Sequence, residues 1–145
     1  MTIALDTDVL VNWAMEGTAF HRAARHFVER RLQEGEKVAL TPSVLNEFIH
    51  VTTDPRRFPS PFAMKEAVAR AREIWSAPEI VRVHPAPEVV SRVFQLLDSL
   101  SLGRNRILDT VLAATLELAG IRRLATFNRK DFEVFPFLDL VSPRR

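Results

Sequence analysis

Apolar positions along the chain follow two periods. Short apolar runs at residues 2–6, Lys37–Leu40, Ile80–His84 and Arg123–Thr126 predict buried strands, and Phe137–Val141 predicts an edge strand. Between them the spacing becomes helical. Val9–Met15 predicts a short helix. Thr18–Glu34 predicts a longer one, with Thr18 at its cap, Phe20, Ala24, Phe27, Val28 and Leu32 near helical spacing, and Gly35 at its end. Thr41-Pro42 opens a third, because Pro is favoured at the first helical position. That helix carries Val44, Leu45, Phe48, Ile49 and Val51. Phe62–Ser76 and Glu88–Leu100 predict two more, and the strongly apolar Ile107–Ala119 is ended by Gly120. Asp54–Pro61 holds three prolines in eight residues and must be a loop. Ser101–Asn105 is a second loop, and Asn128–Glu133 a turn or short helix.

Strands alternating with helices imply an α/β fold with a parallel sheet covered on both faces. Nothing in the pattern marks a repeat, a low-complexity tract or a linker, so residues 1–145 read as one domain. In such sheets the ligand site lies beyond the carboxyl ends of the strands. Asp6, Thr41 and Thr126 each end a predicted strand, so chemistry is expected near them.

Composition narrows the chemistry. The chain has no cysteine, which excludes disulfides and thiolate metal sites. No apolar run approaches the ~20 residues of a membrane span, and the N-terminus lacks the pattern of a signal peptide. A soluble, cytoplasmic protein with no membrane partner is expected. Formal net charge is only +2, so any nucleic-acid surface must be local. Of the 20 basic residues 17 are Arg. That excess follows from a G+C-rich genome as readily as from a need for phosphate-binding guanidinium groups.

Acidic residues cluster at the predicted strand ends. Asp6 and Asp8 follow the first strand in LDTDVLVN. Glu47 lies in SVLNEFIH, on the helix after the second strand, bordering the stripe of Val44 and Val51. Asp109 lies in ILDTVLAA, on the face shared by Leu112, Ala113 and Leu116. Asn128 and Asp131 follow the fourth strand in LATFNRKDF. Singly, each has an ordinary reading: Asp6 or Asp8 as a helix cap, Glu47 as a half-exposed carboxylate, Asp109 as a helix N-terminal acid. Together they make a hard oxygen-ligand set without Cys or nearby His, which suits Mg²⁺ or Mn²⁺ rather than Zn²⁺. Such a site serves phosphoryl chemistry. No GxxxxGK[ST] loop is present.

These four motifs, in this order and over residues 3–133, resemble the PIN-domain family, and more narrowly the VapC-type ribonuclease toxins of toxin–antitoxin pairs. The resemblance implies a PIN-like three-layer α/β/α fold with a central parallel sheet of about five strands. It implies a Mg²⁺- or Mn²⁺-dependent endoribonuclease leaving 5′-phosphate and 3′-hydroxyl ends. The family's catalytic acids fall on Asp6, Glu47 and Asp109, which would also hold the metal. The fourth position falls on Asn128, where many relatives carry Asp; this departure bears on a second metal. Asp8, where relatives often have Asn or Ser, and Asp131 are candidate additional ligands. Thr126 falls where a hydroxyl orients the first acid. The resemblance also implies RNA as substrate (tRNA, rRNA or mRNA), a VapB-type antitoxin bound over the first helices, and a homodimer. The first two helices are expected to expose Trp13, Phe20 and Phe27 for such a partner.

For the RNA backbone, Arg104 and Arg106 in GRNRILD and Arg129 beside Asn128 are the candidate contacts, with Arg56, Arg57 and Lys130 behind them. Arg144-Arg145 reads as a frayed terminus. His50, one helical turn from Glu47, is a weaker candidate for a general base than for an interface residue. Three alternatives share these motifs. DTDVL approaches the DxDx(T/V) signature of haloacid-dehalogenase-like phosphatases, but the later motifs of that fold are missing. A PIN-like module without activity, used for RNA binding or assembly, has its foothold in Asn128. A PIN ribonuclease that is not a toxin is the third.

Overall fold

A computed structural model describes residues 1–144. Its centre is β1 (Thr2–Leu5), buried along Ile3, Ala4 and Leu5. β1 pairs in parallel with β2 (Lys37–Leu40) on one side and β4 (Arg123–Ala125) on the other. β3 (Ile80–Arg82) extends the sheet beyond β2, and β5 (Asp139–Val141) beyond β4, giving five parallel strands in the order β3-β2-β1-β4-β5. The chain winds outward from β1 to β3 and then returns to β4. The topological switch point therefore lies between β1 and β4, and a crevice opens at their carboxyl ends.

Two groups of helices cover the sheet. α1 (Thr7–Ala14), α2 (His21–Gln33), α3 (Pro42–Thr52) and α4 (Met64–Ser76) pack on one another, while α5 (Val89–Ser99) packs on α6 (Ile107–Leu118). The short α7 (Arg129–Phe132) links β4 to β5. α6 is deeply set, with Leu112, Ala113, Ala114 and Leu116 all buried. Gly120 ends it with φ +75°, a conformation costly for residues with a Cβ, and Ile121 N–H closes back on Leu116 O at 2.9 Å. No helix among the described residues is long and apolar enough to cross a membrane.

The predicted elements are present, with informative differences at their ends. α3 starts as expected: Thr41 caps it through Val44 N–H, and Pro42 occupies the first turn. α2 does not start at Thr18, whose hydroxyl instead donates to Met15 O at 3.1 Å. The chain turns at Asn12, whose Oδ1 accepts Phe20 N–H at 3.0 Å, and α2 begins at His21. A side chain eight residues away outcompetes the local cap. α4 begins at Met64 rather than Phe62, because Phe62 N–H is bonded to Thr52 O at 2.8 Å. The expected loop before α6 contains a 3₁₀ turn, Arg104–Arg106.

Two expectations about exposure are corrected. Phe27 is buried in the core, not exposed, and the Arg31 guanidinium lies 3.6 Å from its ring centroid. Phe20 is half-buried because it stacks on Phe127, with ring centroids 4.7 Å apart. Arg144 is likewise not free at the terminus: its guanidinium sits 4.5 Å from the Phe20 centroid. Arg145 lies outside the described residues.

Candidate active site

Asp6 leaves β1 in an extended conformation and becomes the N-cap of α1, accepting Thr7 N–H on Oδ1 at 2.8 Å. Its Oδ2 accepts the Thr126 hydroxyl at 2.9 Å. Thr126 follows β4, is fully buried, and accepts Asn128 N–H at 3.0 Å. The two strands flanking the switch point thus clamp one carboxylate. Thr7 turns the other way and donates its hydroxyl to Glu47 Oε1 at 2.9 Å, fixing α3's acid against α1.

Asp8 stands on the first turn of α1. Its Oδ2 accepts Phe127 N–H at 3.2 Å and the Asn128 side-chain amide at 2.9 Å. Its Oδ1 is buried and has no hydrogen-bond partner. Asp109 occupies the first turn of α6, half-buried. Asp131 on α7 meets Arg106 at 3.3 Å.

Five carboxylates, Asp6, Asp8, Glu47, Asp109 and Asp131, line one cavity of about 320 Å³, with Asn128 at its edge. Arg57 from the proline-rich loop is the one basic residue lining it among the described residues. Burial first, and neighbouring negative charge second, raise the proton affinities of these acids. Burial pushes the Asp6 carboxyl up, against the opposing hydrogen bonds from Thr126 and Thr7, with the charges of Glu47 and Asp131 adding to the rise. Burial and then the neighbouring Asp6 push Asp8 up further. Asp109 is raised to about 6 by burial and by the charges of Asp6 and Asp131, with Arg106 opposing.

Arg57 apart, no basic side chain lines the cavity among the described residues to offset these acids. The donors are all oxygen, as Mg²⁺ and Mn²⁺ prefer. Among the described residues no three His, Asp or Glu side chains converge into a ready-made cage. Mg²⁺ keeps part of its water shell and can meet carboxylates directly or through water, so it requires no closed protein cage.

The PIN domain family profile matches residues 3–138. The chain belongs to the PIN-domain family. Within that family it is similar to ribonuclease VapC48 of Mycobacterium tuberculosis, 27% identical over 143 residues covering 99% of this chain and 98% of the relative. It is 30% identical over 133 residues to ribonuclease VapC43 of the same organism, covering 88% and 90%. In fold, this PIN domain is similar to a chain of VapBC2 from Rickettsia felis, at TM-score 0.70 and 16% identity over 98% of both chains. A chain of VapBC-1 from nontypeable Haemophilus influenzae gives TM-score 0.70 at 14% identity over 100% of both. The three-layer α/β/α architecture with five parallel strands is the one expected of a PIN domain.

The PIN crevice gathers Asp6, Asp8, Glu47, Asp109, Asn128 and Asp131 in one place, with Thr126 beneath Asp6. Arg104 and Arg129 are exposed. Arg106 is half-buried and already engaged by Asp131. His50 is exposed and does not line the cavity, whereas Arg57 and Phe58 do. The sequence reading missed Thr7 as the partner of Glu47 and Asn12 as a wall of the cavity. Thr7 carried a usable signal, a hydroxyl between two strand-end acids. Arg57 and Phe58 carried none, since only the folded path of the Asp54–Pro61 loop brings them there.

Proposed function

We propose that the acidic crevice of this VapC-like PIN domain is an endoribonuclease site that hydrolyses RNA phosphodiester bonds with Mg²⁺ or Mn²⁺. The observation that carries the reading is the meeting of five carboxylates from four elements at the sheet's switch point. Asp6, Asp109 and Glu47 would hold the ion, with Asp8 and Asp131 as additional acids. When bound, such an ion lowers the pKa of a water and neutralises charge on the phosphate oxygens.

The chain's own groups do the rest. The Thr126 and Thr7 hydrogen bonds hold Asp6 and Glu47 in register before substrate arrives, so little reorganisation is left for the reaction. The proton of the attacking water would pass to a neighbouring carboxylate of the same crevice. Attack in line on phosphorus then breaks the bond to O3′, leaving a 5′-phosphate and a 3′-hydroxyl. Arg104 and Arg129, which are exposed, and Arg106 are the candidate contacts to the RNA backbone. Single-stranded or loop RNA suits such a site best, because its backbone and bases are accessible.

The biological setting we propose is that of a cytoplasmic toxin held by a VapB-type antitoxin, acting as a homodimer. Support comes from similarity to VapC ribonucleases and, for the fold, to chains of VapBC complexes. A separate cavity of about 470 Å³ lies among Trp13, Met15, His21, Phe62, Arg70 and neighbouring residues of α1, α2 and α4, where the antitoxin is expected. A PIN-like module without activity is the second reading, favoured by Asn128 in place of an acid.

One experiment separates them. Purified protein is incubated with total tRNA and ribosomal RNA in Mg²⁺, Mn²⁺ or EDTA, beside Asp109→Asn. Discrete 5′-phosphorylated fragments that require metal and disappear in the variant are expected. Intact RNA with folded, antitoxin-free protein in every condition favours the inactive module.

A further inference from the structure

Asp8 Oδ1 is buried without a partner. Asn128 spends its amide on Asp8 Oδ2, at 2.9 Å, across 120 residues of sequence. Phe127 N–H adds a second donor to the same oxygen at 3.2 Å. Asp8 lines the acidic cavity and is pinned through Oδ2 to the loop after β4, while Oδ1 is enclosed by the protein. A buried carboxylate oxygen with no donor is costly unless a cation or a proton meets it.

The identity of residue 128 follows from that contact. An amide can turn its NH₂ toward a carboxylate. An aspartate there would set a second negative charge about 3 Å from the first, a destabilising pair. Asn128 donates into Asp8, so its one strong interaction is spent away from any cation. Its carbonyl oxygen is neutral and a weaker ligand than either carboxylate.

We propose that Asp8, not Asn128, supplies the fourth acidic group of the metal site, and that Asn128 is a positioning residue acting through Asp8. The inference rests on the metal reading above and deepens it: the charge absent at 128 is present at 8, one 2.9 Å hydrogen bond away in the same crevice. It predicts that the two positions are exchangeable as a pair.

The test measures metal rather than RNA cleavage. EDTA-treated wild type, Asp8→Asn, Asn128→Ala and the double exchange Asp8→Asn/Asn128→Asp are titrated with Mn²⁺ by calorimetry and by the loss of the free-ion electron paramagnetic resonance signal. Circular dichroism and thermal melts establish that each is folded. Asp8→Asn should weaken Mn²⁺ binding at least about tenfold, the low end for lost support of a metal ligand. Asn128→Ala should weaken it by less, since the Asp8 charge survives unpinned. The double exchange should restore affinity to within about threefold of wild type, because the amide then at position 8 can donate to the carboxylate at position 128 with the polarity reversed. A merely structural role for the pair would not yield that rescue. Asp8→Asn that binds Mn²⁺ like wild type overturns the inference alone, as does a double exchange no better than Asp8→Asn. Wild-type protein that binds no Mn²⁺ overturns the metal reading and this inference with it.

Discussion

Thr126 Oγ1 donates to Asp6 Oδ2 at 2.9 Å and accepts the N–H of Asn128 at 3.0 Å, tying the end of β4 to the end of β1 through one hydroxyl. Thr126 is fully buried, so no water replaces the hydroxyl if it is removed. Thr126→Val keeps the shape and deletes both bonds. It should lower cleavage about 10- to 100-fold, the usual cost of losing the group that orients a metal ligand. Leaving Asn128 N–H and one Asp6 oxygen unserved should also cost about 1–3 kcal/mol of stability. Thr126→Ser should recover most of both. Cleavage rates and melting temperatures of the two variants check this, and equal activity in Thr126→Val and wild type would remove Thr126 from the site.

Asp109 has an opposite balance between activity and stability. Its carboxylate lies half-buried among Asp6, Asp131 and Glu47, with only Arg106 opposing. Asp109→Asn removes a like charge, so the variant should melt higher than wild type in EDTA by a degree or a few, on the order of 1 kcal/mol after solvent screening. The same change should reduce RNA cleavage by about 100-fold or more. Added Mg²⁺ should raise the melting temperature of wild type but move the variant less. A variant that is both less stable and fully active would contradict the placement of Asp109 in the site.

How much of this was legible in the chain differs by type of contact. The strands, the Thr41-Pro42 helix start and the apolar face around Asp109 depend on local period and capping, and they stand where the pattern puts them. The place of Asp6 followed from a rule about parallel sheets, not from its neighbours in sequence. Contacts that join distant segments were hidden. Thr7 to Glu47 spans 40 residues and Asp8 to Asn128 spans 120, and although Thr7 stands out as a hydroxyl between two acids, no sequence spacing names the partner in either pair. The start of α2 was misread because a distant side chain, Asn12, took the role that Thr18 would hold locally. Phe27 was misread because α2 turns that face to the core rather than to a partner.

The raised acids fix the direction of the pH dependence. Asp6, Asp8 and Asp109 bind protons more tightly in the folded state than in the unfolded chain, where carboxyls titrate near about 4. The folded state therefore gains protons, and stability falls as pH rises through the window between about 4 and the raised value of about 6 for Asp109. Metal-free protein should melt higher at about pH 5 than at about pH 7.5. Saturating Mg²⁺ at the higher pH should close much of that gap, since the ion replaces the protons. Asp109→Asn should flatten the dependence in EDTA. Melting curves over this range, with and without Mg²⁺, test the sign directly: stability that climbs steadily from about pH 5 to about pH 7.5 in EDTA would show that the acidic cluster is compensated by other groups.

Arg106 is engaged within the protein, whereas Arg104, two residues earlier, is exposed, so substitutions at the two are expected to differ in effect. Arg106 meets Asp131 at 3.3 Å and partly offsets the charge felt by Asp109. Arg106→Gln should both remove a phosphate contact and leave Asp131 unneutralised beside incoming phosphates. Arg104→Gln should remove an exposed cation only. Each should reduce the slope of log affinity against log salt by about 1, the signature of one lost phosphate contact. Arg106→Gln should in addition lower cleavage at saturating RNA, because freed Asp131 adds repulsion around Asp109 and the attacking water. Arg104→Gln should leave that rate nearly unchanged and act on RNA binding alone. Binding is measured at several salt concentrations on uncleaved RNA in EDTA, and single-turnover cleavage in Mg²⁺. If the two variants have the same ratio of cleavage loss to binding loss, the Arg106–Asp131 pair has no part in the chemistry and both arginines act only on the RNA backbone.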